Sequence, residues 1–99
     1  RFEGSLLVPW KGGVRPWSAQ GHTTLTAGHF SEVLALEPEL VIFGSGARLR
    51  FISAALYRCL IDARIGLETM DTAAACRTYN VLAAEGRSVV AALLPGSVD

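Results

Sequence analysis

The sequence predicts a layered α/β domain, and three observations lead to this fold class. Two short apolar runs that end at Gly or Pro, Leu40–Phe43 and Val89–Leu94, are typical of strands buried on both faces. Segments with helical periodicity alternate with these strands, which favours parallel strands joined by right-handed crossovers. The chain has 99 residues, a length that fits one domain, so we expect residues 1–99 to share a single core.

The other strand candidates are shorter or more polar than these two runs. Leu67–Met70 alternates apolar and polar residues and places Glu68 in the ladder, a pattern that favours a position nearer the edge of the sheet. Ser5–Val8 is a candidate strand that ends at a proline, and His22–Leu25 is a further short candidate. We therefore expect the two fully apolar runs to occupy the centre of the sheet.

Three segments repeat apolar residues at helical spacing and are predicted to be helices: residues 27–36, 54–64 and 73–85. Each follows a side chain whose oxygen can accept from the backbone N–H groups of the first turn. The predicted caps are Thr26 for the first helix, Ser53 for the second, and Asp71 or Thr72 for the third. Gly66 stands where a left-handed residue would close the second helix, and Gly86 where the third would end.

Composition and charge argue against several classes of partner. Hydrophobic residues make up 51% of the chain and the mean hydropathy is +0.35, as in folded globular proteins. Nine basic residues balance nine acidic ones, and this neutrality argues against nucleic acid or an anionic membrane surface as the main partner. No apolar run reaches the roughly 18 residues that a membrane span needs, and the first residues show no secretory-signal pattern. A cytoplasmic location is therefore expected.

The two cysteines, Cys59 and Cys76, are separated by a spacing that matches neither a redox pair nor a zinc site. We interpret them as small buried hydrophobic residues in a reducing compartment. A disulfide or a reactive thiol is the alternative interpretation.

The segment Trp10–Gln20 is rich in Gly, Pro and Trp and is predicted to be an irregular loop. Its two tryptophans, Trp10 and Trp17, are accompanied by Lys11 and Arg15. A loop with two large aromatic rings and two cations is typical of a recognition surface. The alternative is that both rings cover the core of a small domain.

The sharpest candidate for ligand chemistry is Gly44-Ser45-Gly46, at the end of a predicted buried strand. Ligands of open α/β sheets bind beyond the carboxyl ends of strands, and glycines let a ligand approach the backbone amides. Arg48 and Arg50 follow and can neutralise an anion. The third glycine of a dinucleotide fingerprint is replaced by Leu49, and no P-loop Lys-Ser/Thr pair follows. The alternative is a tight turn between a strand and a loop.

A second candidate is the start of the helix after Thr72, where free backbone amides carry positive potential. Arg77 and Asn80 are three residues apart and share one helix face. If the strand ends are neighbours, Ser45, Thr72 and Arg77 converge on one cleft that suits an anion. The alternative is that Thr72 caps the helix and Arg77 pairs with Glu68 or Asp71. The predicted ligand-binding residues are Gly44, Ser45, Gly46, Arg48, Thr72 and Arg77.

Catalytic and metal sites find less support in the sequence. Glu68 lies in a strand without a second carboxylate at a fixed spacing, so it does not form an acid–base pair. His22 and His29 are seven residues apart, and Glu32 is the nearest acidic residue. The serines lie in no nucleophile-elbow motif. The sequence therefore predicts no catalytic residue, no metal site and no cofactor.

Three motifs in a fixed order resemble a known family. They are Glu-Leu-Val-Ile-Phe-Gly-Ser-Gly at 39–46, Gly-Leu-Glu-Thr-Met-Asp-Thr at 66–72 and Ala-Cys-Arg-Thr-Tyr-Asn-Val-Leu-Ala-Ala-Glu-Gly-Arg at 75–87. With the apolar strand that follows, they are similar to the α/β domain family that includes mitochondrial complex I assembly factor 3 and the adipogenesis-associated domain protein. The resemblance extends from Ser5 to Pro95, and many members are uncharacterised bacterial and archaeal proteins.

The resemblance implies a three-layer α/β fold with a mixed, largely parallel central sheet flanked by helices. It also implies an N-terminal strand pair, part of which we expect to precede Arg1. Ser45 stands where many members have threonine, and it keeps the hydroxyl. The family has no established reaction, and its best-known role, in assembling a respiratory complex, belongs to mitochondrial members. No transit peptide is visible, and eight of the nine basic residues are Arg, which suits a bacterial member.

Two classes of function follow from the sequence. The first is a non-enzymatic protein-binding or assembly-factor-like module, favoured because the sequence holds no complete catalytic constellation. Its partner is expected to be another protein. The second is a protein that binds a small ligand or anion at the face formed by Gly44–Gly46, Thr72 and Arg77, with uncharacterised catalysis there as a further option.

Overall fold

The computed structural model describes residues 4–95, which form a five-stranded sheet with helices around it. The strands are β1 (Leu6–Val8), β2 (Arg15–Pro16), β3 (Leu40–Gly44), β4 (Gly66–Met70) and β5 (Val89–Leu93). The helices are α1 (Ala27–Leu34), α2 (Arg58–Asp62) and α3 (Thr72–Ala84), with short 3-10 turns at His22–Thr24 and Ala54–Tyr57. The predicted alternation of helices and strands from α1 onwards is confirmed.

The sheet is mixed, with the strand order β2-β1-β5-β3-β4. β1 pairs antiparallel with β2 and β5, whereas β3 pairs parallel with β4 and β5. The two fully apolar strands, β3 and β5, therefore lie inside the sheet as predicted. β4, which carries Glu68, lies at its edge, which is also as predicted. β2 falls within the segment that was expected to be irregular.

Alternation along β3 divides the core between the two faces of the sheet. Val41 and Phe43 face the side where Phe30 of α1 and Leu60 of α2 are buried. Ile42 faces the other side, in a cluster that includes Ala75 of α3 and alternate residues of β5. Because helices cover both faces, β5 consists entirely of buried apolar residues. The predicted burial of Val41, Phe43, Val90 and Ala92 is confirmed.

Tyr79 lies on the apolar side of the helical pattern in residues 73–85, which predicts that it is largely buried. In the structure it is half-buried. Its ring packs against the cluster on the α3 side of the sheet, and its hydroxyl donates to the carbonyl of Pro9 at 2.6 Å. The polar end of the ring therefore remains near the surface, where it ties α3 to the end of β1. Partial burial raises the pKa of the Tyr79 phenol above its ordinary value.

The prediction of a strand at His22–Leu25 is wrong, because this segment forms a 3-10 turn at 22–24. The N–H groups of Thr24 and Leu25 donate back to the carbonyls of Gly21 and His22. A segment of four residues is too short for its pattern to distinguish a strand from a turn, and here local hydrogen bonds replace pairing with the sheet.

The second predicted helix divides into the 3-10 turn at 54–57 and the short α2. Arg64, with φ +62°, takes the left-handed closing position that was predicted for Gly66. The N–H of Ile65 donates to Leu60 and that of Arg64 to Ile61, the pattern of a Schellman closure. Since the side chain of Ile65 packs on the core, the turn must come one residue before it.

The predicted helix caps are present in the structure. Thr26 forms a capping box with His29 at the start of α1, and Ser53 accepts from the N–H of Ala55. Of the two candidates for α3, Asp71 is the cap, because its carboxylate accepts from the N–H of Ala74 at 2.9 Å. Gly86, with φ +83°, ends α3 as predicted.

A clamp fixes the two central strands where they begin. The N–H of Glu39 donates to the carbonyl of Ser88, and the Glu39 carboxylate accepts from the N–H of Ser88, each at 2.8 Å. Arg87 Nε lies 3.3 Å from the same carboxylate. The hydrogen bond from Ser88, followed by that from Arg87, holds the pKa of Glu39 below its ordinary value. The clamp therefore fixes the register of β3 against β5.

Both cysteines are free, and their burial differs from the prediction. Cys59 on α2 is half-buried against the core, whereas Cys76 on α3 is exposed. Cys76 follows the buried Ala75 by one position, and on a helix neighbouring residues point in directions about a quarter-turn apart. The side chain of Cys76 therefore lies on the outer surface of α3.

Candidate functional site

The carboxyl ends of β3, β4 and β5 meet around the turn at Gly44–Gly46. A Cβ built on Gly44 would lie 2.9 Å from Leu93 Cδ2 and 3.0 Å from Thr72 Cα, so the leucine methyl would have to move and the contact with the Thr72 backbone would be unusually tight. Gly46 has φ +105°, a conformation that favours glycine. Two glycines that flank one serine at a strand end predict a positive φ or a close backbone neighbour at one of them. This prediction is confirmed at both positions. Gly44, Ser45, Gly46, Thr72 and Leu94 are called the strand-end cluster below.

Ser45 is the polar centre of the strand-end cluster and is 1% exposed. Its hydroxyl donates to the carbonyl of Arg48 at 2.8 Å, with the carbonyl of Met70 at 3.2 Å. The same oxygen accepts from the N–H of Arg50 at 2.9 Å. The Ser45 hydroxyl therefore fixes the backbone of the loop that follows β3.

Thr72 joins the ends of two strands to the start of α3. Its hydroxyl accepts from the N–H of Gly46 at 2.9 Å and donates to the carbonyl of Leu94 at 2.8 Å. The N–H of Thr72 donates in return to the carbonyl of Gly46 at 2.9 Å. One side chain thus connects β3, β5 and α3 where parallel strands come together.

The structure brings four of the predicted ligand-binding residues into contact, namely Gly44, Ser45, Gly46 and Thr72. The N–H groups of Ser45, Gly46 and Thr72 all donate to protein acceptors. Arg48 and Arg77 are exposed, and within residues 4–95 the Arg77 side chain forms neither the ion pair with Glu68 nor that with Asp71. Binding of a ligand by the six predicted residues stays a prediction.

The loop at 47–51, called the apolar loop below, presents large hydrophobic side chains to solvent. Leu49 is 50% exposed and Phe51 is 73% exposed. The loop backbone is nevertheless held at three points: the carbonyl of Arg48 and the N–H of Arg50 bond to Ser45, and the carbonyl of Phe51 lies 3.0 Å from Nε2 of His22. A fixed backbone that displays apolar side chains is typical of an interaction surface.

Sequence reasoning concentrated on the glycines and missed the apolar loop. The available signal was the alternation of Leu49 and Phe51 with Arg48 and Arg50 between two capping or turn segments. That pattern did not show on which side the apolar residues would lie. In the structure, the buried Ser45 hydroxyl bonds to the backbone of Arg48 and Arg50, and the side chains of Leu49 and Phe51 point to solvent.

Trp17 covers the core and does not belong to an exposed recognition surface. It is buried, its Nε1 donates to the carbonyl of His29 at 2.9 Å, and its ring meets those of Phe30 and Phe43 edge-on at centroid distances of 5.7 and 6.3 Å. Trp10 is half-buried and has the Lys11 ammonium 5.7 Å from its ring centroid. Of the two interpretations of this loop, the one in which the ring covers the core is confirmed for Trp17.

The other candidates for chemistry have structural partners or exposed positions. His29 Nδ1 accepts from the N–H of Thr26 in the capping box of α1, and Glu68 is exposed on the edge strand. Within residues 4–95, no three side chains of His, Cys, Asp and Glu gather in an arrangement that would hold a metal ion. In the same range, none of the helices has the length and apolar character required to cross a membrane.

Comparison with known proteins identifies the relatives of this chain. A family described as proteins of unknown function (DUF498/DUF598) matches residues 1–94. The chain belongs to this family. A curated DUF498/DUF598 relative is NADH dehydrogenase (ubiquinone) 1 alpha subcomplex assembly factor 3 of Homo sapiens, 36% identical over 81 residues that cover 80% of this chain and 44% of the human protein. The resemblance predicted from the three motifs is confirmed.

DUF498/DUF598 relatives also occur in bacteria. An uncharacterised protein of Rhodobacter capsulatus is 38% identical over 92 residues, which cover 93% of this chain and 69% of that protein. A crystal structure of a protein from Bordetella parapertussis superposes with a TM-score of 0.90 at 40% identity, covering 96% of this chain and 81% of that chain. The chain thus shares its α/β fold with a bacterial relative, and it spans less than half the length of the human one.

Proposed function

We propose that this chain is a protein-binding module with an assembly-factor-like role, and that the apolar loop is its contact surface. The observation that carries the proposal is the exposure of Leu49 and Phe51 on a backbone held by Ser45 and His22. Aromatic side chains contribute strongly to protein interfaces. A loop that is already ordered loses less conformational entropy when a partner binds it.

The charges around the loop favour a particular kind of partner surface. Arg48 and Arg50 alternate with the two apolar residues, although the chain as a whole has a net charge of +0. A complementary surface would offer an apolar depression with acidic residues beside it. Such complementarity sets the orientation and the rate of association more than the affinity.

The relatives support the same class of function. The human relative is named as an assembly factor, and a protein that helps others to assemble must bind them. The matched part of that protein corresponds to the domain described above. We place this module in the cytoplasm of a bacterium, as expected from the sequence, and propose that it binds another protein there.

The proposal is tested by capturing partners from the source cell with the tagged parent chain and with the double variant Leu49→Ser, Phe51→Ser. We expect the double variant to lose at least about 90% of the specifically captured protein, because truncation of a central apolar pair typically removes more than about 2 kcal/mol of binding free energy. Both side chains are exposed, so the circular dichroism spectrum and the unfolding midpoint are expected to remain within the parent's range.

Val81→Ser is the matched control, because Val81 is 58% exposed but lies on α3, on the opposite face of the sheet. This variant is expected to capture the same proteins as the parent. Equal capture by the loop variant and the parent would show that the interface lies elsewhere.

A second candidate function is binding of a small anion at the predicted set Gly44–Gly46, Arg48, Thr72 and Arg77. The observation that favours it is the exposed guanidinium of Arg77, which forms no hydrogen bond or ion pair within residues 4–95. Since the amides of Ser45 and Gly46 already have protein acceptors, most of the attraction would come from arginine. Binding of this kind weakens as salt screens the charges.

Titration with inorganic phosphate, followed by NMR amide shifts, tests the anion site. We expect shifts at Gly46 and at Ala73–Ala75, several-fold weaker affinity in Arg77→Ala, and loss of the shifts when sodium chloride is raised from about 0.05 to about 0.5 M. Arg58→Ala is the control, because Arg58 is an exposed arginine on α2. Identical titrations for the parent and Arg77→Ala would contradict the site.

A further inference from the structure

A cleft lies at the end of the sheet where β5 finishes, the same end at which the strand-end cluster lies. Its volume is about 440 Å³, within the range of pockets that hold small molecules. Among residues 4–95, eight line it: Gly4, Ser5, Pro16, Trp17, Ser18, Ala19, Gln20 and Pro95. Neither the strand-end cluster nor the apolar loop contributes a residue to this lining.

The strand register explains how the cleft forms. Leu6 of β1 pairs with Pro16 of β2 and with Leu93 of β5. The next pair outwards is held by the N–H of Trp17, which donates to the carbonyl of Ser5 at 3.0 Å. The cleft therefore opens where three neighbouring strands end together. The buried residues Ser5, Trp17 and Ala19 form its floor. The exposed residues Gly4, Pro16, Ser18 and Gln20 form its rim.

The floor contains a polar atom that lacks a partner. Ser5 is 5% exposed, and its hydroxyl oxygen forms no hydrogen bond within residues 4–95. Ser5 precedes the buried Leu7 by two positions, so its side chain lies on the side of the sheet that carries Trp17. Buried hydroxyl groups normally have a hydrogen-bond partner, because an unsatisfied one destabilises the fold. The Ser45 hydroxyl, with its several partners, is the usual case.

The charges near the cleft favour a neutral ligand. None of the eight lining residues that the structure describes is ionisable. The N–H and the hydroxyl of Ser18 both donate to the Glu32 carboxylate, so the negative charge of Glu32 lies next to a residue that lines the cleft. An anion would meet this charge without a compensating cation among the lining residues. Gln20, exposed on the rim, offers an amide that makes no side-chain hydrogen bond within residues 4–95.

We propose that this cleft binds a small neutral molecule with an apolar body and a carbonyl or amide oxygen. The body would contact Trp17 and the two prolines, and the oxygen would accept from the Ser5 hydroxyl. Because that hydroxyl is closed to solvent, the cleft lining must shift as the ligand enters, and the exposed amide of Gln20 would then bond to the ligand's polar group. This site is independent of the apolar loop, so its failure would leave the proposed protein-binding function untouched.

Benzamide, a neutral aromatic amide, is a suitable probe, and benzoate is its charged counterpart of nearly the same shape. In an NMR titration of the full chain we expect benzamide to shift the amide signals of Ser5, Trp17, Ala19 and Gln20. Benzoate is expected to bind more weakly, because burying a carboxylate beside Glu32 is unfavourable. Absence of these shifts with benzamide, or equal binding of benzoate, would overturn the proposal.

Two variants test the role of the hydroxyl. Ser5→Ala is expected to weaken benzamide binding roughly two- to tenfold, the usual effect of one hydrogen bond. Its unfolding midpoint should equal or exceed that of the parent, because the unsatisfied group is gone. Ser31→Ala, at an exposed serine of α1, should bind benzamide like the parent. Unchanged affinity in Ser5→Ala, or a lower midpoint, would show that the hydroxyl does not serve a ligand.

Gln20→Ala provides a test that does not touch the core. Gln20 is exposed and its side chain makes no hydrogen bond within residues 4–95, so the variant is expected to fold normally. Benzamide affinity should fall roughly two- to tenfold if the amide bonds to the ligand. If Gln20→Ala bound benzamide as tightly as the parent, the Gln20 amide would not be part of the proposed site.

Discussion

Replacing Phe43 by Ala is expected to lower the free energy of unfolding by about 3–5 kcal/mol. Phe43 is fully buried near the carboxyl end of β3, and its ring lies 6.0 Å from that of Phe30 and 6.3 Å from that of Trp17, centroid to centroid. The substitution removes both ring contacts at once and leaves a cavity that fixed strands cannot close. For a domain of this size, each 1 kcal/mol corresponds to a fall of roughly 4–8 °C in Tm.

Phe51→Ala is the matched control, because it removes the same ring from an exposed position in the apolar loop. Its free energy of unfolding is expected to stay within about 0.5 kcal/mol of the parent. Chemical denaturation followed by circular dichroism measures both variants. A midpoint for Phe43→Ala close to that of Phe51→Ala would contradict the description of the core.

Gly44→Ala is expected to destabilise the fold by about 1–3 kcal/mol, the range for overpacking a filled site. The new methyl group would meet Leu93 Cδ2 at 2.9 Å and Thr72 Cα at 3.0 Å. The leucine methyl is the end of a flexible side chain and can turn away. The Thr72 backbone cannot, because its N–H and hydroxyl are bonded to Gly46 and Leu94. The start of α3 must therefore shift.

Gly13→Ala separates this effect from the general consequences of replacing glycine. A Cβ at Gly13 has open space around it, and its φ lies outside the left-handed range. We expect this variant to match the parent within about 0.5 kcal/mol in chemical denaturation. The close approach at Gly44 would be disproved if the two glycine variants had the same midpoint.

The parts of the fold that the sequence predicted are those in which one short segment determines its own environment. A strand such as 40–43, apolar at every position, can lie only where both faces are covered, so its place inside the sheet followed directly. The residue at which α2 ends could not be predicted in the same way. The position of the left-handed residue depends on which later side chain reaches the core, and Ile65 selected Arg64 in preference to the more permissive Gly66.

The chemistry of the candidate site shows a similar division. The sequence placed glycines, hydroxyls and a helix start at one edge of the sheet, and these groups do meet there. It could not show that Ser45 and Thr72 would bond chiefly to the backbone of their own chain, because the partners, Met70 and Leu94 among them, come from distant strands. A serine after a strand is equally compatible with an exposed hydroxyl and with a buried one.

The cleft around Ser5 was also beyond sequence reasoning. A polar residue two positions before a buried leucine is a weak signal, because strand ends commonly carry serine. The lining comes from the two residues before β1, from the end of β2 with the segment after it, and from Pro95 beyond β5. Strand pairing alone brings these three parts together. Trp17 illustrates the same point, since its neighbours in space, Phe30 and Phe43, are far from it along the chain.

The pairing of β1 with β5 has a consequence for biosynthesis. Leu6 and Leu93 are neighbours in the sheet but lie at opposite ends of the described chain. While a ribosome is making the protein, β1 has its two-residue partner β2, and an isolated hairpin of this length is not stable in water. Leu7 and Trp17 therefore stay accessible to chaperones until β5 has left the exit tunnel. The domain is therefore expected to fold only after β5 has emerged, in a step whose rate is set by closing this long loop.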